Sequence, residues 1–261
     1  MPTRPSAASR TLTLAGTEVA RIGLGTNRLT STPENHALLR EAIDAGLGLV
    51  DTAHVYTGGD SERAIGEALS PEPDGLVVAT KGGYAGSGSR EALRAQIEQS
   101  LASLETETID LYYLHRIDPE TPLADSLGAI AEYRDAGTIR EIGISAVSVE
   151  EIEAAREVVP IAAVQNHFNV GERGHDDVVD YCEEARIVFV PYYPVKGDAP
   201  PALSQIARRH GASPEQIALA WLLHRSPVML PIPGTLSIEH LRENLGALDI
   251  ELADYEYDAL S

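Results

Sequence analysis

A chain of 261 residues fits one large α/β barrel or two small domains, and 43% hydrophobic residues supply a sizeable core, which excludes intrinsic disorder. Forty Asp and Glu against 20 Lys and Arg leave a formal net charge of -20, with no basic stripe to neutralise nucleic-acid phosphates or to settle on an anionic membrane. No apolar run approaches the roughly 18 residues of a membrane span, no apolar stretch follows residues 1–10 to make a secretory signal, and Cys182 has no partner for an internal disulfide. A cytoplasmic location is the expectation. Of the 20 basic residues only Lys81 and Lys196 are Lys, a bias that GC-rich coding explains more readily than a high-salt cytoplasm, and neither touches function.

In chain order, 11–14 and 18–20 flank Ala15-Gly16-Thr17 and predict a small hairpin. Short apolar runs then alternate with amphipathic stretches. A run at 22–25 precedes a helix over 33–45, 49–51 precedes 61–69, 76–81 precedes 90–104, and 110–115 precedes 123–136. The pattern continues with 142–145 before 149–158, 162–165 before 177–185, 187–191 before a helical region over 202–225, and 228–232 before 238–247. Gly46, Gly137 and Gly211 stand where left-handed helix caps are expected. The runs are continuous rather than alternating, as strands covered on both faces are. Eight such units in about 250 residues predict a (β/α)8 TIM barrel behind the hairpin. A doubly wound sheet is disfavoured, because Gly23-Leu-Gly-Thr-Asn-Arg28 is not a dinucleotide-binding glycine fingerprint.

Catalytic groups in such a barrel sit at the carboxyl ends of the strands. The runs end at Asp51, Lys81, His115, Ser145 and Gln165-Asn166, and Tyr192 follows the seventh. A lysine ending a buried strand needs a counter-ion, and Asp51 on the neighbouring strand supplies one. Tyr56 lies five residues beyond Asp51, in a loop expected to return over the mouth. A cation beside a tyrosine favours the phenolate, so Lys81 is expected to lower the Tyr56 pKa and make it a proton donor. A neutral His115 would hydrogen-bond a carbonyl. The set describes protonation of a carbonyl oxygen.

At these residues the sequence resembles the aldo-keto reductases. Gly46-Leu-Gly-Leu-Val-Asp51-Thr-Ala-His-Val-Tyr56 with Ser61-Glu62, Val78-Ala-Thr-Lys81 and Ile109-Asp-Leu-Tyr-Tyr-Leu-His115 are similar to the family's motifs. So are Ile142-Gly-Ile-Ser145, Val164-Gln165-Asn166, and Ile232-Pro-Gly-Thr235 with His240-Leu-Arg-Glu-Asn244. The likeness spans nearly the whole chain and is strongest to a bacterial subgroup that includes pyridoxal reductases. It implies one barrel domain over 1–261, with 1–10 a flexible tail. It also implies Tyr56 as general acid, Lys81 and Asp51 tuning it, and His115 orienting the carbonyl. Ser145 and Gln165 match positions that bind the nicotinamide carboxamide, Tyr192 the ring that stacks on it, and Gly234, Thr235, His240 and Asn244 the adenosine-phosphate segment.

The resemblance therefore implies hydride transfer from NADPH, with NAD as a second possibility, to a small aldehyde or ketone such as pyridoxal. No metal, nucleic acid or membrane partner is implied, and a monomer is compatible with the sequence. Departures are local. Ala146 follows Ser145 where the family often has Asn, with Asn166 as the nearest substitute, and Arg116 replaces an aromatic after His115. Leu236 and His240 stand where a cation often grips the 2′-phosphate, so the NADPH preference should be reduced, with Arg242 as the nearest guanidinium. Two other classes fit the residues less well. A nucleotide-sensing binding protein of the same fold has no need of Tyr56, and a metal-dependent hydrolase using His54, His115 and His167 lacks a ligand pair at close spacing.

Overall fold

The computed structural model describes residues 9–197 and 200–261. Of the tail expected over 1–10, only Ser9 and Arg10 fall among the described residues. Strands β1 (Thr11–Leu14) and β2 (Thr17–Ala20) pair antiparallel across Ala15 and Gly16. Both turn residues have positive φ, 50° and 78°, which matches the twist of a two-residue hairpin loop.

Seven parallel strands follow in chain order, each beside the next: β3 (Leu24–Gly25), β4 (Leu49–Asp51), β5 (Val77–Gly82), β6 (Ile109–Leu114), β7 (Ile139–Ser145), β8 (Ala163–Gln165) and β9 (Val188–Phe189). Helices α1 (Pro33–Asp44), α2 (Asp60–Leu69), α3 (Arg90–Ser103), α4 (Leu123–Asp135), α5 (Val149–Arg156) and α6 (Asp176–Ala185) alternate with them. The expected eighth strand is a segment over 229–234 held by single bonds and bridges. On one side, Leu230 N donates to Phe189 O and Ile232 N to Pro191 O. On the other, Gly23 N donates to Pro231 O and Gly25 N to Pro233 O, which closes the barrel. Pro231 and Pro233 have no N–H to return to β3, so among the described residues this seam carries one isolated bridge, Gly25 with Gly234, instead of a ladder.

The helical region expected over 202–225 is two helices, α7 (Pro201–His210) and α8 (Pro214–Arg225). Gly211 at φ 63° ends the first, and Ser213, in a reciprocal cap with Gln216, starts the second with Pro214 in its first turn. After α9 (Ile238–Gly246), a short helix α10 (Asp254–Asp258) lies beyond any element read from the sequence. Its Tyr257 stacks on Trp221 with ring centroids 5.7 Å apart.

Two cores result. Inside the barrel, Leu49, Val77, Ala79, Leu111, Ala163, Val190, Leu230 and Ile232 pack together, and Leu14 and Val19 of the hairpin plug the base. Gly143 on β7 leaves room for Tyr113: a Cβ there would stand 2.4 Å from the ring. A larger core lies between strands and helices and includes Cys182, whose thiol burial pushes up to about 12. Also at the base, buried Arg21 donates to Met229 O, Ser9 O, Leu223 O and Ser226 O. Among the described residues no helix is long and apolar enough to cross a membrane.

Candidate active site

The inward faces of β4 and β5 deliver the first two groups. Val77, Ala79 and Lys81 alternate inward along β5, so Lys81 caps the apolar interior at its upper layer. Its Nζ is fully buried, donating to Asp51 Oδ1 at 2.6 Å and to Thr52 O at 2.6 Å. Asp51 Oδ2 accepts from Gln165 Nε2 at 2.8 Å. Burial alone would lower the Lys81 pKa, but Asp51 and Tyr56 outweigh it and hold the ammonium charged. Burial raises Asp51 against the pull of Lys81 and Gln165. With two cationic or polar donors on its two oxygens, Asp51 is the counter-ion of the pair.

Beyond Asp51, Thr52 N and His54 N continue the bonding to β5, donating to Ala79 O and Lys81 O. The chain then reverses through Thr57, Gly58 and Gly59, all with positive φ, before α2 begins. This turn brings Tyr56 back over the mouth, its ring centroid 5.0 Å from Lys81 Nζ. The Tyr56 shift runs opposite to the direction expected from the sequence. Burial raises its pKa above the ordinary value and outweighs the lowering by Lys81. The phenol is therefore protonated at neutral pH.

His115 follows β6, anchored by its N–H to Gly82 O at 2.7 Å. Its ring lies edge-on to Tyr56 with centroids 5.9 Å apart. Burial, with the charges of Lys81 and Arg116, lowers its pKa to about 3, so the imidazole is neutral. Nδ1 is buried without a partner among the described residues, leaving Nε2 as the nitrogen for the cleft. Tyr84, in the loop between β5 and α3, lies 4.8 Å from the His115 ring and is 45% exposed.

These groups end a cleft of about 750 Å³ lined also by Ser145, Gln165 and Tyr192. Ser145 Oγ accepts from Arg116 Nη1 at 3.0 Å. Tyr192 stacks on His167 with centroids 5.5 Å apart. Asn166 does not stand in for the missing Asn after Ser145. Its amide bonds both the N–H and the carbonyl of Val147, at 3.0 and 2.7 Å, and it is buried. Ala146 itself adopts φ 58°, a conformation that Asn and Gly take more readily.

The wall ends at Gly234, bridged to Gly25, where Arg28 Nη2 donates to Gly234 O at 3.4 Å. Thr235 Oγ1 accepts from Ser237 N, and Ser237 Oγ caps α9 at His240 N. Thr235, His240 and Asn244 lie outside the cleft lining, around the first two turns of α9, with His240 exposed. Arg242 is turned away and paired with Glu41 on α1 at 3.5 Å. Instead Arg28, Arg116 and Lys196 line the cleft, and among the described residues none has a carboxylate within ion-pair distance. From sequence Arg116 stands out only as a departure after His115, and Lys196 only as one of two lysines. A basic residue just after a strand end was the available signal for Arg28. His54, His115 and His167 form no metal centre: among the described residues no three His, Cys, Asp or Glu converge.

Comparison with known proteins agrees with this architecture. The Aldo/keto reductase family matches residues 21–261. The chain is 38% identical over 256 residues to an uncharacterized oxidoreductase of Schizosaccharomyces pombe, covering 90% of this chain and 83% of that one. It is 33% identical over 272 residues to pyridoxine 4-dehydrogenase of Escherichia coli, covering 94% and 95% of the two chains. An aldo/keto reductase from Klebsiella pneumoniae solved in complex with NADP and acetate is similar with a TM-score of 0.88 at 29% identity, covering 97% of this chain and 94% of that one. The chain is thus an oxidoreductase and belongs to the aldo/keto reductase family.

Proposed function

We propose that this chain reduces the carbonyl of a small aldehyde or ketone with NADPH, and that Tyr56 gives the proton. The observation that carries the reading is the buried Lys81–Asp51 pair behind Tyr56, beside a neutral His115, at the end of a cleft whose charges left unpaired among the described residues are cationic. In a chain of net charge -20, cations gathered in one cleft favour a polyanionic ligand such as a dinucleotide phosphate. Arg28 and Lys196 would face its phosphates, the α9 amino end its adenosine phosphate, and Ser145, Gln165 and Tyr192 its nicotinamide. When bound, the cofactor supplies hydride to the carbonyl carbon.

The rest is the work of the side chains. His115 Nε2–H donates to the carbonyl oxygen and fixes its direction, as only a neutral imidazole on this tautomer does without adding charge. Tyr56 OH gives its proton to that oxygen, and the Lys81 ammonium stabilises the phenolate left behind. Asp51 keeps Lys81 in place and charged. A raised Tyr56 pKa suits this direction, because the acid is loaded before the carbonyl arrives and Lys81 acts on the developing anion.

The test is NADPH consumption over a panel of pyridoxal, aromatic aldehydes and simple ketones. Turnover of at least one carbonyl class is expected; tight NADPH binding with no turnover on any would favour a nucleotide sensor. NADPH should bind tighter than NADH, and His240→Arg should tighten NADPH more than NADH, because a charge-assisted bond to phosphate is about twice as strong as a neutral one. Equal affinity for the two cofactors in both proteins would overturn the placement of the phosphate at α9.

A further inference from the structure

We infer that Arg116 is a specificity-determining residue for the substrate, and that its guanidinium receives a carboxylate carried on the same small molecule as the carbonyl. This rests on the reading of the cleft as a carbonyl-reducing site. Arg116 directly follows His115, and its Nη1 donates to His115 O at 2.8 Å and Ser145 Oγ at 3.0 Å. Those two bonds hold the guanidinium in the wall of the cleft, 5.8 Å from the Tyr192 ring centroid. Its charge is felt at both His115 and Tyr56.

Nη1 makes both of those bonds. Among the described residues Nη2 and Nε make none, and no carboxylate lies within ion-pair distance. Asp51 also lines this cleft, but its two oxygens are committed to Lys81 and Gln165. A half-buried guanidinium with unspent donors is costly until an anion arrives, and its planar fork matches a carboxylate bidentately.

Cofactor phosphates are poorly placed to be that anion. Arg28 and Gly234 mark their side of the mouth, at β3 and the closing segment, whereas Arg116 leans on Ser145 at the end of β7. In an eight-staved barrel β7 stands four staves from β3, on the opposite side. Tyr84 packs against His115, the chain neighbour of Arg116, and Val55 lines the same cleft, both partly exposed. They offer an apolar wall to the body of a ligand whose carbonyl meets Tyr56 and whose carboxylate meets Arg116.

The experiment compares kcat/KM, with NADPH, for 2-, 3- and 4-carboxybenzaldehyde and for their methyl esters, in wild type, Arg116→Met and Arg116→Lys. The wild type should prefer at least one acid over its ester. In Arg116→Met that ratio should fall about 10- to 100-fold, mainly through KM of the acid, as expected when a bond to a charged group is lost. Arg116→Lys should recover part of the ratio, since it keeps the charge but not the fork. Thermal melting and NADPH titration of each variant confirm a folded, cofactor-competent protein. A wild type indifferent to the carboxylate in all three pairs, or a ratio unchanged in Arg116→Met, overturns the inference while leaving carbonyl reduction intact. So does a Met variant that changes only the balance of NADP+ against NADPH binding, which would assign Arg116 to the cofactor. Failure of every aldehyde and ester in the wild type would instead overturn the underlying carbonyl-reductase reading.

Discussion

Lys81 and Arg21 are both cations sealed from solvent, one beneath the mouth of the barrel and one at its base. Lys81 is held by a carboxylate, Asp51, and stands against Tyr56 in the cleft. Among the described residues Arg21 is held by backbone carbonyls alone, two of them, Leu223 O and Ser226 O, at the carboxyl end of α8 where the helix dipole is negative. Burial lowers the Arg21 pKa only to about 10, so it stays charged. Carbonyl dipoles do not titrate and bind no substrate, so the basal cation ties the hairpin, α8 and the closing segment together. At the mouth, the carboxylate of Asp51 pins a charge beside the Tyr56 phenol. The same residue class is architecture at one end and chemistry at the other.

Four substitutions test that contrast. Lys81→Met should have the largest effect, because it strands Asp51 in the interior and removes the stabiliser of the Tyr56 anion. A stability loss of about 3–5 kcal/mol is expected by denaturant unfolding, with reduction nearly abolished. Full activity at neutral pH would break the pairing argument. Tyr56→Phe should cost about 10²–10⁴-fold in kcat while NADPH affinity, followed by fluorescence titration, stays close to wild type. A rate within about threefold of wild type would remove Tyr56 as the acid.

Arg21→Met should do the reverse. About 3 kcal/mol of stability should go, since several buried carbonyls lose their donor, yet kcat per folded molecule should hold. A matching fall in kcat would show that base and mouth are coupled. The smallest effect belongs to Glu72, near the base of β5 and β6, where burial and the charge of Asp110 push its pKa to about 8. The neutral acid is thus favoured in the folded protein. Its stabilisation is complete below the unfolded value of about 4.3 and is lost as pH rises through about 8. Melting temperature should therefore fall from about pH 6 to about pH 9 less in Glu72→Gln than in wild type. Parallel pH profiles would refute the assignment.

What the sequence disclosed follows the same division. Lys81 was legible because a lysine that ends a buried strand demands an anion, and only Asp51 sat one strand away. Gly46 and Gly137 were legible as caps because the structure needs φ of 93° and 81° there. Gly211 was legible as a cap in the same way, at φ 63°, but the region over 202–225 read as one helical stretch because apolar spacing resumes soon after the Ser213-Pro214 restart. Tyr84 approaches His115 through a loop whose path no periodicity encodes. Asn166 could serve a ligand or the Val147 backbone with the same amide, and only the fold decides. The direction of the Tyr56 shift is a contest between burial and Lys81, and sequence supplies the cation but not the burial. Arg242 was lost to Glu41, a neighbour more than 200 positions away across a helix pair.

The closing segment has a consequence for how the chain comes into being. Gly23 and Gly25 donate to the carbonyls of Pro231 and Pro233, partners that leave the ribosome some 200 residues later. At about 5–20 residues per second, the β3 edge waits at least ten seconds or so without its mate. During synthesis the nascent sheet is an open ribbon with an unpaired flank. The two prolines that leave the finished seam sparsely bonded also make the last-arriving strand a poor template for a foreign strand, which finds no N–H at those positions.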